Sequence, residues 1–85
     1  MNLVKQREKQ RKSFVDGILS VALAHGVTKQ EIKREAFSSY GTGNRRIEHN
    51  QGDITLSEIL NIATLCRLPP AELLTQAAAN MKAKQ

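Results

Sequence analysis

The 85-residue chain has little of what would indicate a disulfide scaffold, a zinc site or a base-stacking surface. It has one cysteine, Cys66, no tryptophan, and three other aromatic side chains: Phe14, Phe37 and Tyr40. One cysteine cannot form an internal disulfide, and no cysteine and histidine group has zinc-ligand spacing. Three aromatics offer little platform for stacking single-stranded bases. Because Cys66 lies among apolar residues, we expect a small core hydrophobe in a reducing compartment.

Long apolar runs are also missing, and none approaches the roughly 18 residues of a membrane span. The N-terminus does imitate a secretory signal, since a basic stretch precedes an apolar one and residues 22–24 read Ala-Leu-Ala. Asp16 interrupts the apolar stretch, however, and cleavage would leave a remainder that begins in mid-pattern. We therefore expect a cytoplasmic protein with no membrane partner.

The chain carries a formal net charge of +5, and nearly all of it lies at one end. Residues 1–12 hold one acidic side chain and five basic ones, for a net charge of +4: Lys5, Arg7, Lys9, Arg11 and Lys12. The remaining residues are nearly balanced. A basic arm of this kind binds nucleic acid or an anionic membrane, or is simply solvated.

Enzymatic motifs are not recognisable. His25 and His49 have no serine or cysteine at a nucleophile spacing, and Gly41 and Gly43 form a lone GxG rather than a phosphate loop. The acidic residues are scattered through helix caps and faces. We expect no active site, no cofactor and no metal.

A helical period dominates the first half of the chain, which at this length is one domain with a small core. The spacing predicts a first helix over about 13–25, with the basic arm as a possible backward extension and Gly26 as its end. Thr28 and Glu31 form a capping box, which predicts a second helix over 28–37. The small residues of "SSYGTG" then predict a bend, followed by a third helix over 44–50.

Two further helices are predicted in the second half. Thr55 and Glu58 form another capping box, and the predicted apolar stripe of the fourth helix is Leu56, Ile59, Leu60, Ala63 and Cys66. "LPP" ends this helix, and Pro70 is suited to begin the fifth. No segment has the pattern of a strand. The fold is therefore predicted to be all-α, with five helices.

The stretch "HGVTKQEI", followed by "RRIEHNQGDITLSEILNIATLCRLPPAELL", resembles the helix-turn-helix DNA-binding domains of the Cro and lambda-repressor (XRE) type. The resemblance covers about residues 14–74 and implies a compact, lambda-repressor-like five-helix bundle. Lys33 departs from the pattern, because the family commonly packs an alanine there. "GTGN" replaces a normal helix start, which predicts that the first turn of the recognition helix is loop-like or becomes ordered only on the partner. The implied organisation is a basic arm over 1–12, the DNA-binding domain over 13–76, and a helix end and tail over 77–85.

The resemblance implies a recognition helix around residues 41–49 in the DNA major groove. Arg46 is expected to contact a base first, because a guanidinium matches the O6 and N7 acceptors of guanine, and Arg45 to contact a base or a phosphate. Thr42 and Asn44 fall where the helix start approaches the bases. For Asn44 the alternative is a polar residue that stabilises the turn.

The remaining expected DNA contacts surround this helix. His49, Asn50 and Gln51 are expected to hold phosphates at the joint after it, with a solvated side chain as the alternative for His49. Asn50 tolerates the left-handed conformation that such a joint requires. Lys29 matches a phosphate or base-edge position, and the five cations of the arm would add phosphate contacts. Tyr40 is expected to be a core plug, with phosphate donation as the alternative, and Glu48 is expected to be structural.

The implied function is a sequence-specific regulator of transcription, a small repressor that occludes a palindromic operator as a homodimer. Such a protein would work in the bacterial cytosol or nucleoid, or in the host cytoplasm if a phage encodes it. The fifth helix is the candidate dimer contact, through Leu73, Leu74, Ala77 and Met81. The alternative is that this helix packs onto the first helix of its own chain. A different class is also open, in which the same fold serves as an antitoxin or adaptor that binds a toxin or another regulator.

Overall fold

The described part of the chain, residues 2–83 of a computed structural model, is all-helical, with side-chain surroundings defined for residues 2–81. It contains five helices and no strand: α1 (Leu3–Ala24), α2 (Lys29–Glu35), α3 (Tyr40–Glu48), α4 (Leu56–Cys66) and α5 (Pro70–Ala83). The all-α prediction is therefore confirmed for these residues. Met1 of the arm and the last two residues of the tail lie outside the described part. No helix among the described residues is long and apolar enough to cross a membrane.

The basic arm is the beginning of α1 rather than a separate segment. Asn2 caps the helix, and its side-chain oxygen accepts hydrogen bonds from the backbone N–H groups of Val4 and Lys5. The helix then runs without interruption to Ala24, so the predicted backward extension is confirmed. Gly26 follows in the left-handed region with φ +78°, which suits glycine because it has no Cβ.

The core lies between the C-terminal half of α1 and the other helices. Ile18, Ile32, Ile62 and Leu73 are fully buried, one from each of α1, α2, α4 and α5. The two long helices approach closely, since a Cβ on Gly17 would lie 2.6 Å from the backbone oxygen of Ala77. Glycine is therefore needed at this crossing.

The third helix runs from Tyr40 to Glu48, so the bend predicted over 38–43 and the helix predicted over 44–50 are wrong in their bounds, whereas the range implied by the resemblance, about 41–49, is close to the observed one. Residues 40–43 are helical instead of bent, and the first turn is not loop-like. The hydroxyl of Ser39 explains this, because it accepts a hydrogen bond from the backbone N–H of Thr42 and caps the helix. The bend is confined to residues 36–39.

The fourth and fifth helices keep their predicted ends but not all of their predicted faces. The capping box at Thr55 is present, and Cys66 is buried as expected. The predicted apolar stripe is wrong at two positions, since Leu56 and Leu60 are 71% and 41% exposed. Ile62 is buried in their place, because the face of α4 that contacts the core is rotated toward residues 62, 63 and 66.

Two of the four candidate dimer contacts on α5 are unavailable to a partner. Leu73 and Ala77 are fully buried, and α5 packs along α1, which is the alternative the sequence left open. Leu74 is 37% exposed and Met81 is partly exposed. Dimerisation stays a prediction, and on this helix it would depend on the outer residues alone.

Candidate nucleic-acid interface

The third helix approaches α2 closely at Gly43. A Cβ on this glycine would lie 2.7 Å from the carbonyl oxygen of Lys33 and 2.8 Å from its Cα. Side chains cannot occupy that space, so the backbone of α3 lies directly against α2. Ile47, one turn later, is buried on the same side. These two residues fix which face of α3 points outward.

A cluster of charged side chains fastens the other end of α3 to α2. The Nζ atoms of Lys33 and Lys29 lie 2.7 Å and 3.2 Å from Oε1 of Glu48. The Lys33 side chain is 5% exposed, whereas that of Glu48 is 35% exposed. Hydrogen bonds from Lys33 first, and then from Lys29, hold the pKa of Glu48 below its ordinary value. The structural role expected for Glu48 is confirmed, with lysines as its partners.

Lys33 is a residue whose role the sequence analysis missed. A lysine is rarely buried unless it is paired, and this one is 4% exposed. The signal was the spacing of Lys29 and Lys33, since residues four apart lie on the same face of a helix. Their shared face pointed to an acidic partner. The pair with Glu48 also restrains Lys29, which was expected to contact DNA.

Tyr40 lies on the surface, so the expectation of a core plug is wrong. The residue is 47% exposed, and its hydroxyl donates a hydrogen bond to Oε1 of Gln30 at 2.7 Å. The Nζ of Lys33 lies 5.7 Å from the ring centroid, which is within range of a cation–π contact. The ring therefore lies beside the charged cluster and the hydroxyl beside Gln30 of α2, and phosphate donation by Tyr40 stays a prediction.

The outward face of α3 is polar and carries one exposed arginine. Nη2 of Arg45 donates a hydrogen bond to Oγ1 of Thr42 at 3.2 Å, so the guanidinium lies back along the helix. It passes Gly41 at ordinary contact distance, since a Cβ there would be 3.7 Å from Nη1 of Arg45. At the C-terminal end, Nδ2 of Asn44 lies 3.3 Å from Nε2 of His49. Thr42, Asn44, Arg45 and His49 therefore lie along one accessible face.

Arg46, which was expected to contact a base first, is engaged in the loop that follows α3. Its Nη1 donates to the carbonyl oxygen of Gln51 at 2.8 Å, and its Nε donates to that of Asp53 at 3.2 Å. A Cβ on Gly52 would lie 2.7 Å from Nη1 of Arg46. The structure thus places this guanidinium over the loop and leaves Arg45 as the exposed cation of the helix.

The joint after α3 has the backbone expected of it. Asn50 has φ +52°, the left-handed conformation predicted for this position. The N–H of Gln51 donates to the carbonyl oxygen of Arg45 at 3.0 Å, which closes the helix end. The side chain of Asn50 does not point outward, however, but toward α1.

Arg11 connects the arm to this joint. Its Nε and Nη2 donate to the side-chain and backbone oxygens of Asn50 at 2.8 Å and 3.0 Å, and its Nη1 lies 2.9 Å from Oδ1 of Asp53. Nδ2 of Asn50 in turn donates to the carbonyl oxygen of Glu8 at 3.2 Å. The hydrogen bond from Arg11 lowers the pKa of Asp53. Neither Arg11 nor Asn50 is thus arranged to hold a phosphate.

The other four cations of the arm are exposed on α1: Lys5, Arg7, Lys9 and Lys12. Lys12 is 3.7 Å from Asp16, a loose surface pair one turn away. It also lines a small crevice with Arg46 and Asn50, so it lies beside the joint. The arm and the end of α3 are therefore neighbours in the folded chain.

Comparison with known proteins adds no relative to this description. No protein-family model, curated protein or solved structure matches the chain. The site must be interpreted from its own residues. Among the described residues, no group of three or more histidine, cysteine or carboxylate side chains could hold a metal ion. What the site offers is hydrogen-bond donors and positive charge on a rigid helix pair.

Proposed function

We propose that this chain is a lambda-repressor-like helix-turn-helix protein that binds double-stranded DNA in a sequence-specific way and regulates transcription. In this proposal α3 enters the major groove, and α2 lies across from it over the phosphates. The observation that carries the proposal is the geometry of α3. It is a short helix held rigidly from behind, with an exposed arginine on a polar outward face.

Rigid support matters because a helix reads base edges only if its register is fixed. The absence of a side chain at Gly43 brings the two backbones together, and the Lys33–Glu48 pair holds the far end of α3. The outward residues Thr42 and Asn44 are small enough to let the helix approach the bases. A major groove about 12 Å wide admits an α-helix of this kind.

Arg45 is the residue we assign to base recognition. Its guanidinium is exposed and contacts only a threonine hydroxyl of its own helix, so turning outward costs one weak hydrogen bond. A bidentate contact to guanine would contribute about 1–3 kcal/mol of discrimination against other bases. Arg46 is assigned instead to positioning, because two loop carbonyls already hold it.

Phosphate contacts are assigned to the edges of this surface, where a contact sets register without reading sequence. Lys29 lies at the start of α2 and is half exposed, at 49% of its side chain, despite its pair with Glu48. Tyr40, His49 and Gln51 offer further donors around α3. From the arm we assign Lys5, Arg7, Lys9 and Lys12.

Regulation would follow from occupancy of the site. A chain of this size that lies in the major groove would block a promoter or operator, and a homodimer would match a palindromic site with half-sites about one helical turn apart. The proposed place of action is the cytosol or nucleoid of a bacterium, or the host cytoplasm for a phage protein.

The proposal is tested by selecting bound sites from random duplex DNA at physiological salt. We compare the wild type with Arg45→Ala and, as a matched control, with Arg34→Ala, which removes a 62%-exposed arginine that pairs with its neighbour Glu35. The wild type should enrich a consensus. Arg45→Ala should relax it at one base pair per half-site, while Arg34→Ala should retain it.

A second measurement separates specific from nonspecific binding. The logarithm of the binding constant should fall with that of the salt concentration, and changing Lys5, Lys9 and Lys12 to glutamine should lower the slope by up to about 0.9 per cation. Equal retention of all DNA fragments by every variant would refute sequence-specific recognition. Absence of DNA binding at low salt would refute the proposal altogether and favour an antitoxin or adaptor.

A further inference from the structure

Arg11 differs from the other four cations of the arm, because its guanidinium is largely covered and fully engaged. Its side chain is 18% exposed, whereas the other four residues are exposed. Nε and Nη2 donate to the side-chain and backbone oxygens of Asn50, and Nη1 donates to the carboxylate of Asp53. Each nitrogen of the guanidinium therefore has a partner within the chain, and the role of Arg11 must be sought in the residues that it holds.

The two residues that Arg11 holds flank Gln51, which is expected to contact a phosphate. Gln51 is exposed, and its backbone N–H donates to the carbonyl oxygen of Arg45 at 3.0 Å, where the helix ends. Asn50 has φ +52°. A left-handed residue other than glycine persists only where its surroundings determine the conformation. The position of Gln51 thus depends on what fixes Asn50.

Hydrogen bonds to α1 fix Asn50. The third helix packs chiefly against α2, but residues 51–53 beyond it are exposed and bury little that could hold them in place. Among the described residues, the hydrogen bonds that reach Asn50 and Asp53 from another helix connect them to Arg11 and to the carbonyl oxygen of Glu8. The joint after α3 is therefore supported from α1.

This support needs the shape of arginine as well as its charge. A planar guanidinium presents its donors in a fixed fork, so it bonds two oxygens of Asn50 at once, whereas a lysine ammonium is a compact point charge. Lysine at position 11 would keep a cation near Asp53 but not the fork on Asn50. A residue that contacts phosphate by charge alone would tolerate that exchange.

We infer that Arg11 is a positioning residue for DNA binding, which holds Asn50 in its left-handed conformation and so places Gln51 and the end of α3 against the phosphates. Arg11 itself does not contact DNA. The inference rests on the proposed function, because it assigns the support of that same surface. Phosphate contacts set the register of a recognition helix. If the joint were in its binding conformation only part of the time, the apparent Kd would rise by the inverse of that fraction.

The test compares the wild type with Arg11→Gln and Arg11→Lys on two duplexes, the selected consensus and an unrelated sequence. Both variants should bind the consensus about tenfold more weakly, as expected if the joint is in its binding conformation about a tenth of the time. Binding to the unrelated duplex should stay within about twofold of the wild type, and the salt slope should not change, because no phosphate contact is lost. Arg34→Gln, which removes an exposed arginine of α2, should leave both affinities unchanged.

A double-mutant cycle shows which contact Arg11 supports. Gln51→Ala removes the exposed side chain that the joint presents. In that background Arg11→Gln should weaken binding less than about threefold, because the contact that it positions is already lost. Lys29→Gln removes an expected phosphate contact on another helix, and there Arg11→Gln should again weaken binding about tenfold.

Hydrogen exchange measures the joint without DNA. The amide of Gln51 should exchange about tenfold faster in Arg11→Gln and Arg11→Lys, because the helix end that it closes opens more often. The amide of Gly43, which donates to the carbonyl oxygen of Ser39 at 3.1 Å in the first turn of α3, should exchange at the wild-type rate. Circular dichroism checks that both variants remain folded.

Several outcomes would overturn the inference. Wild-type binding of the consensus by Arg11→Lys would show that charge, not position, is what Arg11 supplies, and a salt slope lowered by about 0.9 in Arg11→Gln would make it a phosphate contact. Equal losses on both duplexes, or unchanged exchange at Gln51, would also contradict a positioning role. A wild type that binds no duplex would instead refute the proposed function, and this inference with it.

Discussion

Replacing Glu48 with glutamine removes the carboxylate that both lysines of α2 contact. Breaking a buried ion pair by removing one partner costs about 3–5 kcal/mol, because the other charge is left buried. Here Lys33 is buried, but Glu48 is 35% exposed and glutamine still accepts one hydrogen bond. We therefore expect a smaller loss, about 2 kcal/mol of unfolding free energy at neutral pH. For a domain of this size that corresponds to a fall of about 8–16 °C in Tm.

The pH dependence of this loss gives a second, independent measurement. The two lysines lower the pKa of Glu48 in the folded chain, and Lys33 contributes most. A lowered carboxyl pKa stabilises the fold fully above the unfolded value of about 4.3. That stabilisation is lost as the pH falls through the lower folded value. The difference between the wild type and Glu48→Gln should therefore be constant between about pH 5.5 and 8 and shrink below about pH 4.

The assay is urea unfolding followed by circular dichroism at a series of pH values. Glu35→Gln is the matched control, because Glu35 is 55% exposed and pairs with its neighbour Arg34 at the surface. That control should cost at most about 0.5 kcal/mol. A loss in Glu48→Gln no larger than in the control, or one that does not change between neutral and acidic pH, would refute the role assigned to the Lys33–Glu48 pair.

Three further predictions test the close approach at Gly43, the left-handed joint at Asn50 and the burial of Cys66. Gly43→Ala should destabilise the chain by about 1–3 kcal/mol because its Cβ would overlap the backbone of Lys33. Gly41→Ala, whose Cβ would make only ordinary contacts on the same helix, should stabilise it by up to about 1 kcal/mol, and equal thermal melts of the two variants would contradict the close approach. Asn50→Gly should lose only the side-chain hydrogen bonds, because glycine tolerates the left-handed backbone of the joint. Asn50→Ala loses the same hydrogen bonds and also strains that backbone, so it should be the less stable of the two by about 1 kcal/mol in urea unfolding. Burial raises the pKa of the Cys66 thiol, so its reaction with a disulfide reagent should be slow in the folded chain and accelerate with urea; rapid reaction without denaturant would contradict the burial.

Local signals predicted the parts of the fold that depend on local chemistry. The Thr28 and Thr55 capping boxes begin α2 and α4 because a hydroxyl and a carboxylate three residues later satisfy free N–H groups within one turn. Pro70 begins α5 for a similarly local reason. The left-handed joint at Asn50 was also predictable, since few residues other than glycine tolerate that conformation.

Features that depend on tertiary contacts were not predictable in the same way. The glycines at 41 and 43 read as a bend, but in the structure Gly43 is the residue that lets α3 lie against α2, and Ser39 caps the resulting helix. Arg46 read as an exposed cation, yet its position is set by carbonyl groups of a loop that only the fold brings near. Burial of Lys33 likewise depends on a carboxylate 15 residues away.

The continuity of α1 with its basic N-terminus has a thermodynamic consequence. A disordered cationic tail loses chain entropy when it settles on a polyanion, whereas a tail that is already helical presents its ammonium groups at set intervals of about 1.5 Å per residue. When a polyanion is titrated calorimetrically, the decrease in heat capacity on binding should scale with the contact area alone. It should lack the large additional decrease that accompanies folding coupled to binding. Regularly spaced cationic side chains on a helix favour ligands whose anionic groups also repeat along a line.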